Sequence, residues 1–232
     1  MATSWVPLEA NPGLFSEWSN ELGLDTSKYA FHDIFGLDPE LLAMVPQPTN
    51  AVLFLFPLSP AIEARRKTED AVPHTSQDDV LWFPQTIGNA CGTIGLLHAI
   101  ANSNAASAVA SNSALAQLLG DAKKLAPAER TTLLAQSKAL QSVHAATAQQ
   151  GQTHAPEPVD DVDLHFVAFV RGADGQLLEL DGRRTGPVVR DVRVPAQEDL
   201  LAKTAEFVQS YYMRADPEQV QYNLIALAPN DL

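Results

Sequence analysis

The chain carries a single cysteine, Cys91, within the segment QTIGNACGT (residues 85–93). Asn89 is a residue type that favours helix N-caps, and the apolar spacing after Gly92 predicts a helix with Cys91 in its first turn. Unpaired N–H groups and the helix dipole at that position lower the pKa of a thiol and make its sulfur nucleophilic. Composition alone favours the other interpretation, a buried and unreactive cysteine on a helix. Both interpretations stand at this point.

The same segment holds one further group that could take part in thiol chemistry. Gln85 precedes Cys91 by six residues. Its side-chain amide could donate a hydrogen bond to a developing oxyanion, together with the backbone N–H of Cys91. The glycines at positions 88, 92 and 95 leave room either for a substrate backbone or for close helix packing.

A thiolate enzyme needs a histidine base, and the chain has six histidines. His98 follows Cys91 by seven residues on the same helical face, which places it about 10 Å along the axis and out of hydrogen-bond reach. His165 opens the strand pattern LHFVAFV (residues 164–170) directly after a polar stretch, so it would lie at the end of a strand. The remaining four histidines sit in segments that look exposed or helical: His32, His74, His144 and His154.

A carboxylate stands in the next strand pattern, where Asp181 closes LELDGR (residues 178–183). If the turn at 172–175 makes a hairpin, the start of the first strand lies beside the end of the second, and Asp181 becomes a cross-strand neighbour of His165. A carboxylate there would fix the imidazole tautomer and stabilise the imidazolium. A simple Asp-Gly turn is the alternative.

The elements around these residues mix helix and strand signals. The pattern predicts one α+β domain over residues 1–232 with an antiparallel hairpin. Predicted helices cover Phe15–Leu22, Pro39–Met44, three or four segments between Asn89 and Ala148 that are broken near residues 102–104, 120 and 127, and Gln197–Met213. Predicted strands cover residues 30–36, Val52–Phe56, Leu164–Val170, Leu177–Leu180 and Tyr222–Ala228. Loops are predicted at Glu63–Asp79, there with a little helix, and at 149–161.

Composition and charge exclude several classes of function. A formal net charge of −13 and a pI of about 4.7 repel nucleic acid and anionic membranes, and favour a basic protein or peptide as partner. One cysteine permits neither an intrachain disulfide nor a Cys-rich zinc site. The N-terminus lacks the features of a signal peptide, and the longest apolar run, AVLFLFPL (residues 51–58), is too short for a bilayer. We therefore expect a protein of the cytoplasm, or also of the nucleus, without membrane contact.

Taken together, the segments QTIGNACGT, LHFVAFV and LELDGR resemble the three catalytic boxes of the ubiquitin C-terminal hydrolase family, in the same order and at similar spacing. Four further segments are also similar to the small single-domain members: WVPLEANP (5–12), DPELLAMVPQP (38–48), GQTHAP (151–156) and NLIALAP (223–229). The resemblance covers nearly the whole chain. It favours a catalytic cysteine over an unreactive one.

The resemblance implies a role for each site residue. Cys91 would be the nucleophile, His165 the general base and acid, Asp181 the residue that orients it, and Gln85 the oxyanion-hole donor. Three residues would contact ubiquitin: Glu9, Asp33 and Leu164. The implied fold is a papain-like α/β arrangement, with helices around a central antiparallel sheet, a knotted backbone and a crossover loop over the active site at roughly residues 147–162.

The implied activity is hydrolysis of an ester, thioester or amide at the C-terminal glycine of ubiquitin or a close ubiquitin-like protein. The enzyme would act as a monomer without metal or organic cofactor, and would favour small or unstructured leaving groups. Two other classes stay open. One is a papain-like enzyme with a different acyl substrate, transglutaminase-like or deamidating, and the other is a non-catalytic ubiquitin-binding module.

Overall fold

The structure, a computed structural model, describes residues 4–72, 79–151 and 163–230. Its strands are β1 (Tyr29–Asp33), β2 (Ala51–Pro57), β3 (Leu164–Arg171), β4 (Gln176–Leu180), β5 (Val188–Arg193) and β6 (Asn223–Pro229). Its α-helices are α1 (Pro12–Leu22), α2 (Pro39–Leu42), α3 (Pro60–Asp70), α4 (Cys91–Ala101), α5 (Ala114–Ala122), α6 (Pro127–Gln136), α7 (Lys138–Ala148) and α8 (Leu200–Val208). Short 3-10 turns at Asn104–Ala108 and Gln197–Asp199 and a π-helical turn at Gln209–Met213 complete the list.

All six strands join one antiparallel sheet in the order β1-β6-β2-β3-β4-β5. The predicted hairpin is present, because β3 and β4 pair directly around the turn at 172–175. The strand nearest the C-terminus, β6, lies inside the sheet between β1 and β2. The predicted α+β class with a central antiparallel sheet between helices is confirmed.

Helices cover both faces of this sheet. On one face Leu53 and Phe166 pack with the apolar sides of α1, α4, α5 and α7. On the other face Phe54 and Phe169 pack with α8 and with Ile62 of α3. Because both faces are covered, the central strands β2 and β3 are apolar at nearly every position instead of alternating with polar residues.

The central helix α4 begins at the cysteine and is almost completely enclosed, with ten of its eleven residues buried. Its glycines serve the packing. A Cβ at Gly92 would lie 3.1 Å from the Leu8 side chain, and one at Gly95 would lie 3.0 Å from Leu53. Of the two roles open for these glycines, close packing of the helix is the one that the contacts support. The nucleophile candidate therefore stands on a rigid element.

The antiparallel registers bring several strand ends to the same edge of the sheet, meaning the side formed by strand ends and not an outermost strand. The end of β1, the start of β6, the end of β2, the start of β3 and the end of β4 lie side by side there. Asp33, His165 and Asp181 belong to these ends. The fold thus brings together residues that are far apart in the sequence.

Several predictions of local structure were wrong. The predicted loop Glu63–Asp79 contains most of α3, which begins at Pro60 and ends at Asp70. Strand β5 was missed, and Gly120 lies inside α5 instead of ending a helix. Most of the predicted crossover loop lies in residues 152–162, outside the described residues, so that loop and the knotted path remain predictions. Within the described ranges, no helix is long and apolar enough to cross a membrane.

Candidate active site

Cys91 is the first residue of α4, as the sequence predicts, but the local geometry before it differs from the prediction. Ala90, not Asn89, immediately precedes the helix. Asn89 has a φ of 58°, in the left-handed region that asparagine tolerates better than most residues. Its side-chain amide donates to the Ser4 hydroxyl over 3.4 Å, and Trp5 N–H donates to the Gly88 carbonyl over 2.9 Å. The N-terminal segment therefore braces the turn that presents Cys91.

His165 and Asp181 form a buried hydrogen-bonded pair. His165 Nε2–H donates to Asp181 Oδ1 over 2.7 Å, and both side chains are almost fully shielded from solvent. By register the two residues are diagonal neighbours, since Ala168 pairs with Leu180. Asp181 Oδ1 also accepts the backbone N–H of Arg183 over 2.8 Å. The carboxylate thus has a fixed orientation toward the imidazole.

Cys91 lies on the other side of the same imidazole. Because Nε2 is bonded to Asp181, Nδ1 is the ring nitrogen that remains for the hydrogen bond between His165 and the thiol. Burial alone would raise the pKa of Cys91, but the His165 hydrogen bond, the imidazolium charge and the N–H groups of Phe166 and Gly92 lower it below its usual value. Burial would likewise lower the pKa of His165, but Asp181 and the thiolate raise it to about 9. These two opposite shifts describe a thiolate–imidazolium pair.

Gln85 lies on a segment whose backbone is hydrogen-bonded to the residue that follows Asp181. Its backbone N–H donates to the Gly182 carbonyl over 2.7 Å. Its side-chain Nε2 donates to the Ile87 carbonyl over 3.3 Å, which occupies one of its two N–H groups and leaves the other for a substrate oxygen. The structure therefore places Gln85 in the active-site region and is compatible with an oxyanion donor.

Two further side chains, those of Trp82 and His98, hold this segment by hydrogen bonds, and sequence reasoning missed both roles. The Trp82 indole N–H donates to the Asp181 carbonyl over 3.0 Å. His98 accepts the Phe83 N–H at Nε2 over 2.9 Å and donates from Nδ1 to the Leu180 carbonyl over 3.3 Å. Burial lowers the pKa of His98 to about 4, so the ring is neutral at pH 7. The helical spacing predicted that His98 is not the base, and its contacts agree with that prediction. Its hydrogen bond to the Leu180 carbonyl instead connects α4 to β4.

His144 lies on a helix, one of the two environments predicted for it, but its side chain is not exposed. It is buried on α7, where Nε2–H donates to the Val6 carbonyl and Nδ1 accepts the Thr93 hydroxyl, each over 2.8 Å. The Trp5 ring packs on it with centroids 4.3 Å apart. Burial lowers its pKa to about 4. Its role is therefore structural, between the N-terminal segment and the active-site helix.

Arg66 of α3 is a further contact of Asp181, made to its carboxylate, that the sequence pattern did not reveal. Its guanidinium Nη2 donates to Asp181 Oδ2, and Nη1 donates to Glu63 over 2.8 Å. Arg66 is only 4% exposed. A buried arginine in a charged, apolar-poor segment has no signature in the hydropathy pattern, so this partner could only be found in the structure.

The three residues predicted to contact ubiquitin lie around this site. Leu164 begins β3 directly before His165 and is half-buried, whereas Asp33 ends β1 at the same edge of the sheet and is exposed. Glu9 follows Leu8, which packs on the first turn of α4. A Cβ at Gly151 would lie 3.0 Å from the Glu9 carboxylate. Leu164 and the segment of Glu9 lie next to catalytic residues, whereas β6 and β2 separate Asp33 from β3. The roles of all three in binding stay predictions.

Comparison with known proteins places the chain among enzymes. Residues 5–213 match the family described as "Ubiquitin carboxyl-terminal hydrolase, family 1". The chain is 36% identical to ubiquitin carboxyl-terminal hydrolase 3 of Arabidopsis thaliana, covering 97% of this chain and 94% of the relative. It is 37% identical to ubiquitin carboxyl-terminal hydrolase isozyme L1 of Homo sapiens, covering 95% and 96%. Its fold is similar to that of the Trichinella spiralis UCH37 catalytic domain, with a TM-score of 0.76, 21% identity, and 97% and 95% coverage.

The opposite pKa shifts at the site lead to a prediction about histidine charge. At pH 7 His165 should be an imidazolium, because its pKa of about 9 lies above the solution pH, whereas His98 and His144 should be neutral with pKa values of about 4. Nitrogen NMR of the imidazole rings as a function of pH measures this directly. The His165→Ala variant identifies the signals of His165.

The same pair predicts the pH dependence of alkylation by iodoacetamide. The lowered pKa of Cys91 should preserve thiolate, and therefore alkylation, at pH values where an ordinary thiol is protonated. In His165→Ala the acid limb of the alkylation profile should move to higher pH. A wild-type profile like that of a free thiol, together with His165 titrating near 6.5, would contradict the ion pair.

Proposed function

This chain belongs to ubiquitin carboxyl-terminal hydrolase family 1 and is a deubiquitinating cysteine hydrolase, and we propose that the thiolate of Cys91 carries its chemistry. One observation carries the assignment. The His165 imidazole is hydrogen-bonded to Asp181 and lies close enough to Cys91 for the two groups to shift each other's pKa in opposite directions. An assembled nucleophile, base and orienting carboxylate also argues against a non-catalytic ubiquitin-binding module.

The proposed reaction proceeds through a covalent intermediate. Cys91 Sγ attacks the carbonyl carbon of the C-terminal glycine of ubiquitin, and the proton on His165 Nδ1 passes to the leaving amine, alcohol or thiol as the bond to it breaks. The product is a thioester between ubiquitin and Cys91. Neutral His165 then removes a proton from water, and the resulting hydroxide attacks the thioester carbonyl. The C–S bond breaks, which regenerates the thiolate and releases ubiquitin as the carboxylic acid, and this acid loses its proton to solvent. The sequence of steps requires neither a cofactor nor an oxidant.

The oxyanion of each tetrahedral intermediate requires donors fixed in advance. The free N–H of Gln85 Nε2 and the backbone N–H of Cys91 at the start of α4 are suited to this role. The backbone bond from Gln85 to Gly182 keeps the donor in register with the loop that carries Asp181. Because these donors are held by the fold, little reorganisation is needed when charge develops.

The surface around the site suits a basic, partly apolar partner. The formal net charge of −13 favours association with the basic face of ubiquitin near its C-terminus, mainly by speeding encounter. Asp33 is exposed at the end of β1, and Phe35, two residues later, is 70% exposed. Val220, three residues before the start of the neighbouring strand β6, is 84% exposed. We propose this edge as the docking surface, with Glu9 and Leu164 closer to the nucleophile. A close ubiquitin-like protein is the alternative partner.

The proposal includes two finer properties. The preference for small or unstructured leaving groups rests on the resemblance alone, because residues 152–162 lie outside the described part of the chain. An action in the cytoplasm or nucleus follows from the need of Cys91 for a reducing environment. The family membership favours ubiquitin hydrolysis over a transglutaminase-like or deamidating reaction.

Replacing the nucleophile should separate binding from turnover. Cys91→Ala should abolish hydrolysis of a ubiquitin C-terminal fluorophore conjugate while leaving the fold and ubiquitin affinity nearly unchanged, because one buried sulfur contributes little packing. A ubiquitin with a C-terminal electrophile should label the wild type only, as intact mass spectrometry can show. Labelling of the alanine variant would disprove the assignment of the nucleophile.

Substitutions of Gln85 and of His165 should have different effects on turnover and on the alkylation of Cys91. Gln85→Ala should lower kcat by about 10²- to 10³-fold, the usual cost of losing one oxyanion donor, with an unchanged pH profile of alkylation. His165→Ala should cost more and should shift that profile, because the thiolate loses its imidazolium partner. Steady-state kinetics and iodoacetamide alkylation measure the two effects, and identical alkylation profiles in both variants would contradict the proposed roles.

Charge reversal tests the docking surface. Glu9→Lys and Asp33→Lys should each weaken ubiquitin binding and reduce its dependence on ionic strength, because each removes an attraction to a basic group. Titration calorimetry at two salt concentrations measures both effects.

A suitable control is Glu21→Lys, since Glu21 is exposed on α1 near the opposite end of the sheet. Glu129 is less suitable, because its carboxylate accepts the Ala126 N–H and caps α6. Equal losses at positions 9, 33 and 21 would mean that only net charge matters and that the docking surface lies elsewhere.

A further inference from the structure

Asp181 shares its two carboxylate oxygens between two cations from different elements. Oδ1 accepts from His165, and Oδ2 accepts from Arg66, whose guanidinium reaches the carboxylate from α3. Asp181 itself is fully buried, so neither oxygen is compensated by bulk water. The carboxylate is therefore clamped between an imidazole that takes part in the reaction and a guanidinium that does not.

We propose that Arg66 is a positioning residue that fixes the Asp181 carboxylate and limits the negative charge which this carboxylate presents to His165. Arg66 thereby sets the upper pH limit of the thiolate–imidazolium pair. This inference deepens the proposed function, on which it rests, by adding a group that tunes the catalytic histidine without touching substrate.

The clamp has a geometric basis. Rotation about the bond to a carboxylate is soft, so one hydrogen bond from His165 leaves the plane of Asp181 poorly defined, whereas a second partner on the other oxygen fixes it. Arg66 is itself held by Glu63 and lies over the Phe56 ring, 5.8 Å from its centroid. The same ring packs edge-on against His165 at 5.9 Å. Phe56 therefore contacts both side chains and helps to fix the position of Arg66 relative to the His165 ring.

The electrostatic basis follows from the order of the charges. Among the described residues, the groups that face the clamp are Cys91 and His98 from α4, Glu179 from β4 and Asp181 directly after it, Glu63 and Arg66 from α3, and Tyr212 from the π-helical turn. Arg66 contacts Asp181, which contacts His165, which contacts Cys91, so the guanidinium lies nearer the imidazole than the thiolate. Its positive charge opposes the imidazolium more than it supports the thiolate. Without it, the pKa of His165 should rise further.

Helix α3 has other attachments that do not involve Arg66. Arg184 donates to both Glu69 and Asp70 over 2.8 Å, and Arg190 donates to Glu69 over 2.9 Å. Ile62 packs in the apolar layer beneath the helix. Substitution of Arg66 should therefore leave α3 in place, and its effect on the site can be measured in a folded protein.

Three substitutions separate the charge from the hydrogen bond. Arg66→Met removes both, Arg66→Gln removes the charge but keeps a donor for Asp181 Oδ2, and Arg66→Lys keeps charge and donor. Arg65→Met is the matched control, because the neighbouring guanidinium donates to the Tyr211 carbonyl over 2.6 Å instead. Each variant is compared with the wild type by the pH dependence of kcat/KM on the ubiquitin fluorophore conjugate and by NMR titration of the His165 ring.

The expected result is an upward shift of the alkaline limb, and of the His165 titration, by about one pH unit in Arg66→Met and Arg66→Gln, as for loss of one charge at short range. Arg66→Lys and Arg65→Met should keep the wild-type values. Lower activity or Tm in Arg66→Met with an unshifted His165 titration would overturn the proposal and reduce Arg66 to a structural residue. If Arg66→Met does not fold, the Arg66→Gln titration decides in the same way. A wild type inactive on ubiquitin would refute the proposed function, whereas the His165 titration would still decide the role of Arg66.

Discussion

The active site depends on one buried negative charge. Asp181 lies at the end of β4 without solvent exposure, and such a charge is tolerated only when hydrogen bonds and cations compensate it. Its partners come from β3, from α3 and from the turn that follows β4: His165, Arg66 and the N–H of Arg183. Burial raises the pKa of this carboxyl, but the charge and hydrogen bond of His165, the charge of Arg66 and the Arg183 N–H together hold it well below its usual range. Because Asp181 must remain ionised, its need for partners fixes the place where β3, α3 and the turn after β4 come together.

The surrounding interior extends this arrangement with further charges. Glu179, two residues before Asp181, is fully buried and pairs with Arg190 over 2.8 Å. Arg190 also packs over the Tyr211 ring, 4.5 Å from its centroid. On the opposite face of the sheet, α4 packs mainly against apolar side chains, and its buried polar residues Thr93 and His98 are hydrogen-bonded. Cys91 therefore belongs to the mainly apolar layer on one face of the sheet, whereas Asp181 lies next to the buried charge pair on the other face.

The sequence predicted the parts of the site that depend on local order. Cys91 at a helix start and the His165–Asp181 hairpin follow from spacing within short segments, and the structure places all three as expected. Arg66 was missed because α3 buries only Ile62 and Arg66, so its charged sequence reads as a loop. Strand β5 was missed for the same reason, since Arg190 is buried there by pairing with Glu179 and not by apolar neighbours. A core built from opposite charges gives no hydropathy period, and its pairings become visible only in three dimensions.

The position of β6 has a consequence for biosynthesis. This strand, near the C-terminal end of the sequence, separates β1 from β2, so the edge strand β1 has no place in the sheet until residues 223–229 are available. Pairings between such distant segments form late, because a long loop must close before they are rewarded. A chain emerging from the ribosome would therefore carry Cys91, His165 and Asp181 well before its sheet is complete. Pairing of β6 is therefore the step that brings Asp33 to the same edge of the sheet as the catalytic residues.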